Sequence, residues 1–347
     1  MNEFKDSIDE TRIVGRELSQ KTFSGKKIDY NLPEIFEEKT SYKAVKKALE
    51  ESMQGLDDIA LLLSGGKDSR MLAGILKNLG KDVTCYTYIG RHHKYEENEL
   101  KVAKKVAKTI NFEHKTIDMD WNKFYDRKMI PKIIKETDGV PIFQTLLTMA
   151  YIRPKIPEKT LITGDLVTEF LDSGEYRPWK DGKDMKTVLF KREPIITKKS
   201  TDKKVVNKLE NIYEKNDENK ILLLRKSDRI VRAQVYKKLG WKVFHPALNA
   251  NVLRKAFSLP VEQRTDGKLA RTIVKQTNKD LFNLRTTRSP FSLRFPLSFH
   301  MAYGKIMGTG VNNTPIPGSF NFENQKIESK EERYRNDNYC WWKSLNG

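Results

Sequence analysis

At 347 residues with 38% hydrophobic content, the chain suits one large domain or two smaller ones and can bury a core. Lys and Arg number 65 against 46 Asp and Glu, a formal charge of +19 that favours polyanionic partners, although the basic residues are spread as on solvated faces. Neither end reads as a signal peptide, no apolar run approaches the ~20 residues of a membrane span, and Cys85 and Cys340 form no metal pattern; a soluble, reducing, cytoplasmic setting without a membrane partner is expected.

Residues 1–50 are polar, with a helical stretch over 41–53. The apolar run Ile59-Ala60-Leu61-Leu62-Leu63 then predicts a buried parallel strand. It stops at Ser64-Gly65-Gly66, and residues 70–79 resume with helical spacing. Two glycines let the backbone turn tightly and approach a ligand. The hydroxyls of Ser64 and Ser69, with the amides of the helix start, would face an anion drawn by the helix dipole. Residues Ser64, Gly65, Gly66, Lys67, Asp68 and Ser69 therefore read as a phosphate cradle. It is not the Gly-x-x-x-x-Gly-Lys-[Ser/Thr] loop. Asp68 among phosphates is repulsive unless a cation bridges it, which implies Mg²⁺.

Strands are expected over 81–88, 112–118 and 160–165, with an amphipathic helix over 96–110 and helices over 121–137 and 142–151, parted by the turn Asp138-Gly139-Val140-Pro141. This alternation predicts an α/β fold with a doubly wound, mainly parallel sheet that takes its ligand at the carboxyl ends of the strands. Residues 176–219 are charged and Lys-rich, and helices dominate from 221 onward, at 221–239, 249–257 and 269–277. Histidines 92, 93, 114, 245 and 300 show no metal-ligand spacing, and His114 reads as structural.

The cradle resembles the PP-loop of ATP pyrophosphatases, with the pattern Ser-Gly-Gly-x-Asp-Ser. Four later segments resemble asparagine synthetases in the same order: Gly164-Asp165-Leu166-Val167-Thr168-Glu169-Phe170, Leu224-Arg225-Lys226-Ser227-Asp228-Arg229, Phe244-His245-Pro246-Ala247-Leu248-Asn249, and Asp266-Gly267-Lys268-Leu269-Ala270-Arg271-Thr272-Ile273-Val274-Lys275. The resemblance covers roughly residues 55–282 and implies an adenine nucleotide alpha hydrolase-like sheet followed by a mostly helical part. It divides the chain into an N-terminal extension (1–54), a PP-loop ATP-binding core (55–175), a charged insertion (176–220), a helical synthetase-like portion (221–288) and an unassigned tail (289–347). By this resemblance the enzyme splits ATP between its α and β phosphates with Mg²⁺. Gly164 and Asp165 join the cradle, Asp68 and Asp138 hold the metal, Arg271 and Lys275 meet pyrophosphate or the acyl-adenylate, and Glu136 is the general base that assists amine attack.

Three departures stand out: Leu166 for a Gly, Thr168 for an Asp, and Asn249 for an Asp. The chain opens Met1-Asn2-Glu3 with no room for a glutaminase domain, so nitrogen is expected from ammonia, from a separate glutaminase subunit or from an amine substrate. The expected activity is an AMP- and pyrophosphate-forming ligase that adenylates a carboxylate and makes an amide. The alternatives are a PP-loop enzyme modifying tRNA or another nucleobase substrate, which the positive charge suits, and a nucleotide-binding interaction protein without catalysis, which the loss of an acid at Thr168 would suit.

Overall fold

The computed structural model describes residues 39–89, 94–119, 143–171, 239–265, 267–287 and 289–296, with isolated positions elsewhere up to 303. Helix α1 (Tyr42–Gln54) is capped by the Ser41 side chain, which accepts from the Ala44 amide. Strand β1 (Ile59–Leu62) leads into helix α2 (Lys67–Asn78), and strand β2 (Val83–Ile89), helix α3 (Lys94–Thr109) and strand β3 (Glu113–Asp118) follow. Helix α4 (Phe143–Ile152) precedes strand β4 (Thr160–Thr163), and a π-helical turn spans Val167–Leu171. A two-residue strand β5 (Val243–Phe244) then precedes helices α5 (Ala250–Phe257), α6 (Lys268–Thr277) and α7 (Lys279–Asn283).

The five strands form one parallel sheet in the order β3-β2-β1-β4-β5, the doubly wound arrangement the alternation predicts. β1 lies in the middle, which is why residues 59–61 and 63 are all apolar and buried rather than alternating. Chain order reverses between β1 and β4, so the turns that follow these two neighbours open at the switch point of the sheet, where such folds bind ligands. β5 is too short to carry a periodic signal and is absent from the sequence reading; it extends the sheet beyond β4 through Leu161↔Val243 and Ile162↔Phe244.

Helix α2 is buried along its whole middle, residues 69–76. Gly74 makes this possible on one side, because a Cβ there would lie 2.9 Å from the Thr277 hydroxyl of α6. One continuous core joins α1 (Val45, Leu49, Met53), α2, α3 (Val102, Ala103, Val106), α5 (Val252, Leu253) and α6 (Leu269, Ile273). Helix α1 and the C-terminal helices thus share the core of the sheet domain. Among the described residues no helix is long and apolar enough to cross a membrane. Cys85 is buried in β2, and burial pushes its thiol up to about 12, so it is a packing group and not a nucleophile.

His114 of β3 is structural. Thr87 donates its hydroxyl to the Leu63 carbonyl at 2.6 Å and therefore accepts from His114 Nε2 at 2.9 Å, bracing the end of β1 from two strands away. Nδ1 of the same ring is buried without a partner. Burial, then the charge of Lys104, holds this imidazole below its usual pKa of 6.5. The folded chain thus binds this proton less readily than the unfolded one, and stability falls as pH drops below about 6.5. Melting temperature is expected to fall between pH 7.5 and pH 5, and His114→Gln, which keeps a donor for Thr87, to flatten that slope. His300, shifted the same way, keeps part of the slope. An unchanged slope in the variant would contradict this assignment of His114.

Candidate active site

The turn after β1 is closed by its own serines. Ser69 Oγ accepts from the Ser64 amide at 3.1 Å and donates to the Ser64 carbonyl at 3.0 Å. Ser64 Oγ lies 2.9 Å from Ser69 Oγ and accepts from the Gly66 amide at 3.2 Å. Ser69 is buried, so its hydroxyl holds the loop in shape, whereas Ser64 is half-buried. The sequence reading faces both hydroxyls toward an anion; in the structure both also bond within the loop. Beside this loop lies the head of α2. Its cap is Gly66, which has no side chain of its own to offer the first-turn amides.

The turn after β4 docks against that helix head. A Cβ on Gly164 would lie 2.9 Å from the Ser69 amide nitrogen and 3.2 Å from its Cα, so only glycine fits. Thr163 Oγ1 accepts from the Asp165 amide, and Asp165 Oδ1 from the Leu166 amide, both at 3.1 Å. Leu166 has φ of 75°, in the region glycine favours, although it is fully buried. A leucine held in this left-handed region costs about 1–2 kcal/mol. Burial of the leucyl side chain, worth about 2–3 kcal/mol, offsets it.

Thr168 follows in the π-helical turn, and its hydroxyl reaches the loop: it donates to Asp68 Oδ2 at 2.5 Å. Lys67 Nζ donates to Asp68 Oδ1 at 2.7 Å and to Thr168 Oγ1 at 3.0 Å. Among the described residues no group of three or more His, Cys, Asp or Glu could hold a metal. A lone carboxylate with a cation already against it nonetheless fits Mg²⁺ that arrives with a polyphosphate, since that ion is held by one or two carboxylates plus phosphate oxygens.

The other expected site residues are placed unevenly. Arg271 and Lys275 sit one turn apart on α6, as their spacing requires, but Lys275 is exposed and Arg271 is engaged. Its Nε donates to the Leu293 carbonyl at 2.8 Å and its Nη2 to that of Arg294 at 3.2 Å. Asn249 accepts from the amides of Asn251 and Val252 at 3.0 and 3.2 Å and so caps α5, a task Asn performs as well as Asp. Glu136, Asp138 and Asp228 lie outside the described residues, as do the helices expected over 121–137 and most of 221–239.

Two groups escaped the sequence reading. Arg70, fully buried in α2, donates Nη2 to the carbonyls of Gly65 and Arg285, both at 2.9 Å, and Nη1 to those of Leu281 and Leu284, both at 3.0 Å. Burial pushes its guanidinium down to about 10, which leaves it charged at neutral pH. It fastens the cradle to the segment after α6. Thr287 of that segment fills the space a Cβ on Gly65 would need, at 2.4 Å. The available signal was a single cation inside an otherwise buried helix, which must find partners internally. The second group is the set Thr286, Ser289 and His300. His300 Nδ1 lies 2.5 Å from Ser289 Oγ, and burial foremost, with the charge of Arg271, lowers its pKa.

Residues 41–159 match the family model of asparagine synthase. That asparagine synthase-type stretch is roughly a third of the chain; it takes in α1, the cradle and the first three strands, and ends before β4. No curated protein matches the chain. Solved structures that the chain matches include an NMN synthetase from Francisella tularensis (16% identity, TM-score 0.27, 65% of this chain and 97% of that one). A U34-tRNA thiolase from Methanococcus maripaludis (16%, 0.28, 66% and 84%) and an NH3-dependent NAD synthetase from Campylobacter jejuni (18%, 0.26, 58% and 94%) are others. At such identities and TM-scores these likenesses bear on neither substrate nor reaction.

Arg70→Met should destabilise the fold by about 3 kcal/mol, because four carbonyls, two of them in buried bonds, lose a charged donor together. Arg70→Lys should recover only part of this, since one ammonium cannot span all four. Denaturant unfolding measures both, and a loss below about 1 kcal/mol in the Met variant would contradict the clasp.

Proposed function

We propose that the chain is an ATP-dependent ligase that forms AMP and pyrophosphate, adenylating a carboxylate and passing the acyl group to ammonia or an amine. The observation that carries this reading is the cradle itself: a glycine-capped helix head with Asp68 in its first turn, at the switch point of the sheet, inside the stretch that matches asparagine synthase.

In the first step a carboxylate oxygen attacks the α phosphorus of ATP, the bond to the β-bridging oxygen breaks, and pyrophosphate leaves. Charge accumulates where the α2 amides point, and preorganised donors are the largest help such a step receives. Mg²⁺ held by Asp68, with Asp138 as second ligand by resemblance, would neutralise the departing pyrophosphate. Lys67, Gly164 and Asp165 border the same space. In the second step the nitrogen attacks the acyl carbon, AMP leaves, and Glu136 accepts the proton that the nitrogen loses. Lys275, exposed one turn from Arg271, would meet the leaving groups, while Arg271 holds the 293–294 turn. The nitrogen comes from ammonia, from a separate glutaminase subunit or from an amine.

The +19 charge favours a second reading, a PP-loop enzyme that activates a base oxygen of a nucleic acid by the same first step. Pyrophosphate release separates the two. With Mg²⁺ and ATP, release stimulated by aspartate or another small carboxylate is expected, and Asp68→Asn should lower it by at least a hundredfold with an unchanged melting temperature. Release stimulated by RNA alone would replace the first reading with the second; ATP binding with no turnover would leave a nucleotide-binding module.

A further inference from the structure

Both oxygens of the Asp68 carboxylate are taken within the chain. Oδ1 accepts from Lys67 Nζ at 2.7 Å and Oδ2 from the Thr168 hydroxyl at 2.5 Å, while the same ammonium lies 3.0 Å from Thr168 Oγ1. The three side chains close a ring around the point where carboxylate and hydroxyl oxygens converge, and Lys67 holds the cation position of that ring. A hard divalent ion needs the same oxygens at about 2.0–2.1 Å. It cannot share them with an ammonium, because two cations at such separation repel strongly. Lys67 and Asp68 are also within reach of solutes, with side chains 19% and 22% exposed. Lys67 sits in the first turn of α2, so a modest rotation of its flexible stem brings the ammonium toward phosphates bound at the helix head.

We propose that Lys67 competes with divalent metal for Asp68, so that the metal enters only together with a nucleotide whose phosphates draw the ammonium away. The inference rests on the reading of Asp68 as the metal ligand. Thr168, where the asparagine synthetase pattern has Asp, is part of the device: a second carboxylate would bind metal unaided, whereas a hydroxyl supports the ammonium and orients Asp68 without adding charge. Metal and nucleotide binding are then positively coupled, and the coupling is reciprocal.

Mn²⁺ binding to the full chain, followed by electron paramagnetic resonance with and without the non-cleavable α,β-methylene analogue of ATP, tests this. In the unaltered protein the analogue should tighten Mn²⁺ at least tenfold. Lys67→Met and Lys67→Gln should tighten Mn²⁺ alone at least tenfold and shrink the gain from the analogue below threefold. Lys67→Arg, which keeps the charge, should behave like the unaltered protein. If both uncharged variants fold and bind Mn²⁺ alone no better, while Asp68→Asn loses Mn²⁺, the competition is wrong and Asp68 remains a ligand. If Asp68→Asn binds Mn²⁺ with the analogue as the unaltered protein does, the metal reading of Asp68 fails and the competition with it.

Discussion

The arrangement depends on one buried cation. Arg70 sits in the buried stretch 69–76 of α2, and its guanidinium is shared among the Gly65, Leu281, Leu284 and Arg285 carbonyls. A desolvated charge is tolerable only when its donors are used, and here they tie together parts of the chain more than two hundred residues apart. The consequence is positional. The cradle cannot be moved without moving the segment after α6, and that segment carries Thr287 against Gly65 and Arg285 against Asn98, whose own side chain donates to the Thr287 carbonyl. The Arg271 contacts at Leu293 and Arg294 continue the same brace.

Against this fixed support the β4 turn supplies the variable part. Gly164 brings it into contact with the head of α2, Leu166 holds a backbone angle that leucine rarely takes, and Thr168 reaches Asp68. Strain at such a turn persists only where the surroundings determine it, and full burial of Leu166 does so. The three departures from the asparagine synthetase pattern thus differ in weight. Asn249 is a helix cap, Leu166 holds a buried left-handed turn, and Thr168 is the one whose side chain reaches Asp68.

Much of this was legible in the sequence because local physics produces it. The apolar run of β1, the glycines after it and the periodicity of α2 need no distant partner, and the alternation of strands and helices leads to a parallel sheet. Other features were not legible because they depend on pairs far apart. Nothing near Arg70 names carbonyls at 281–285, and nothing near Thr168 points to a carboxylate a hundred residues earlier. The two residues of β5 are too few for a period, and a left-handed leucine contradicts the local preference a sequence reading must use. Serines 64 and 69 also bond to each other and to the loop backbone, a use that their residue type and spacing did not announce.

The central claim is that ATP is cut between its α and β phosphates by attack of a carboxylate. Isotope transfer tests it most directly. With a stimulating carboxylate labelled with ¹⁸O on both oxygens and with ammonia present, one labelled oxygen should appear in AMP, and the amide should keep the other. Formation of ADP and phosphate, or AMP that takes its new oxygen from water, would contradict the account.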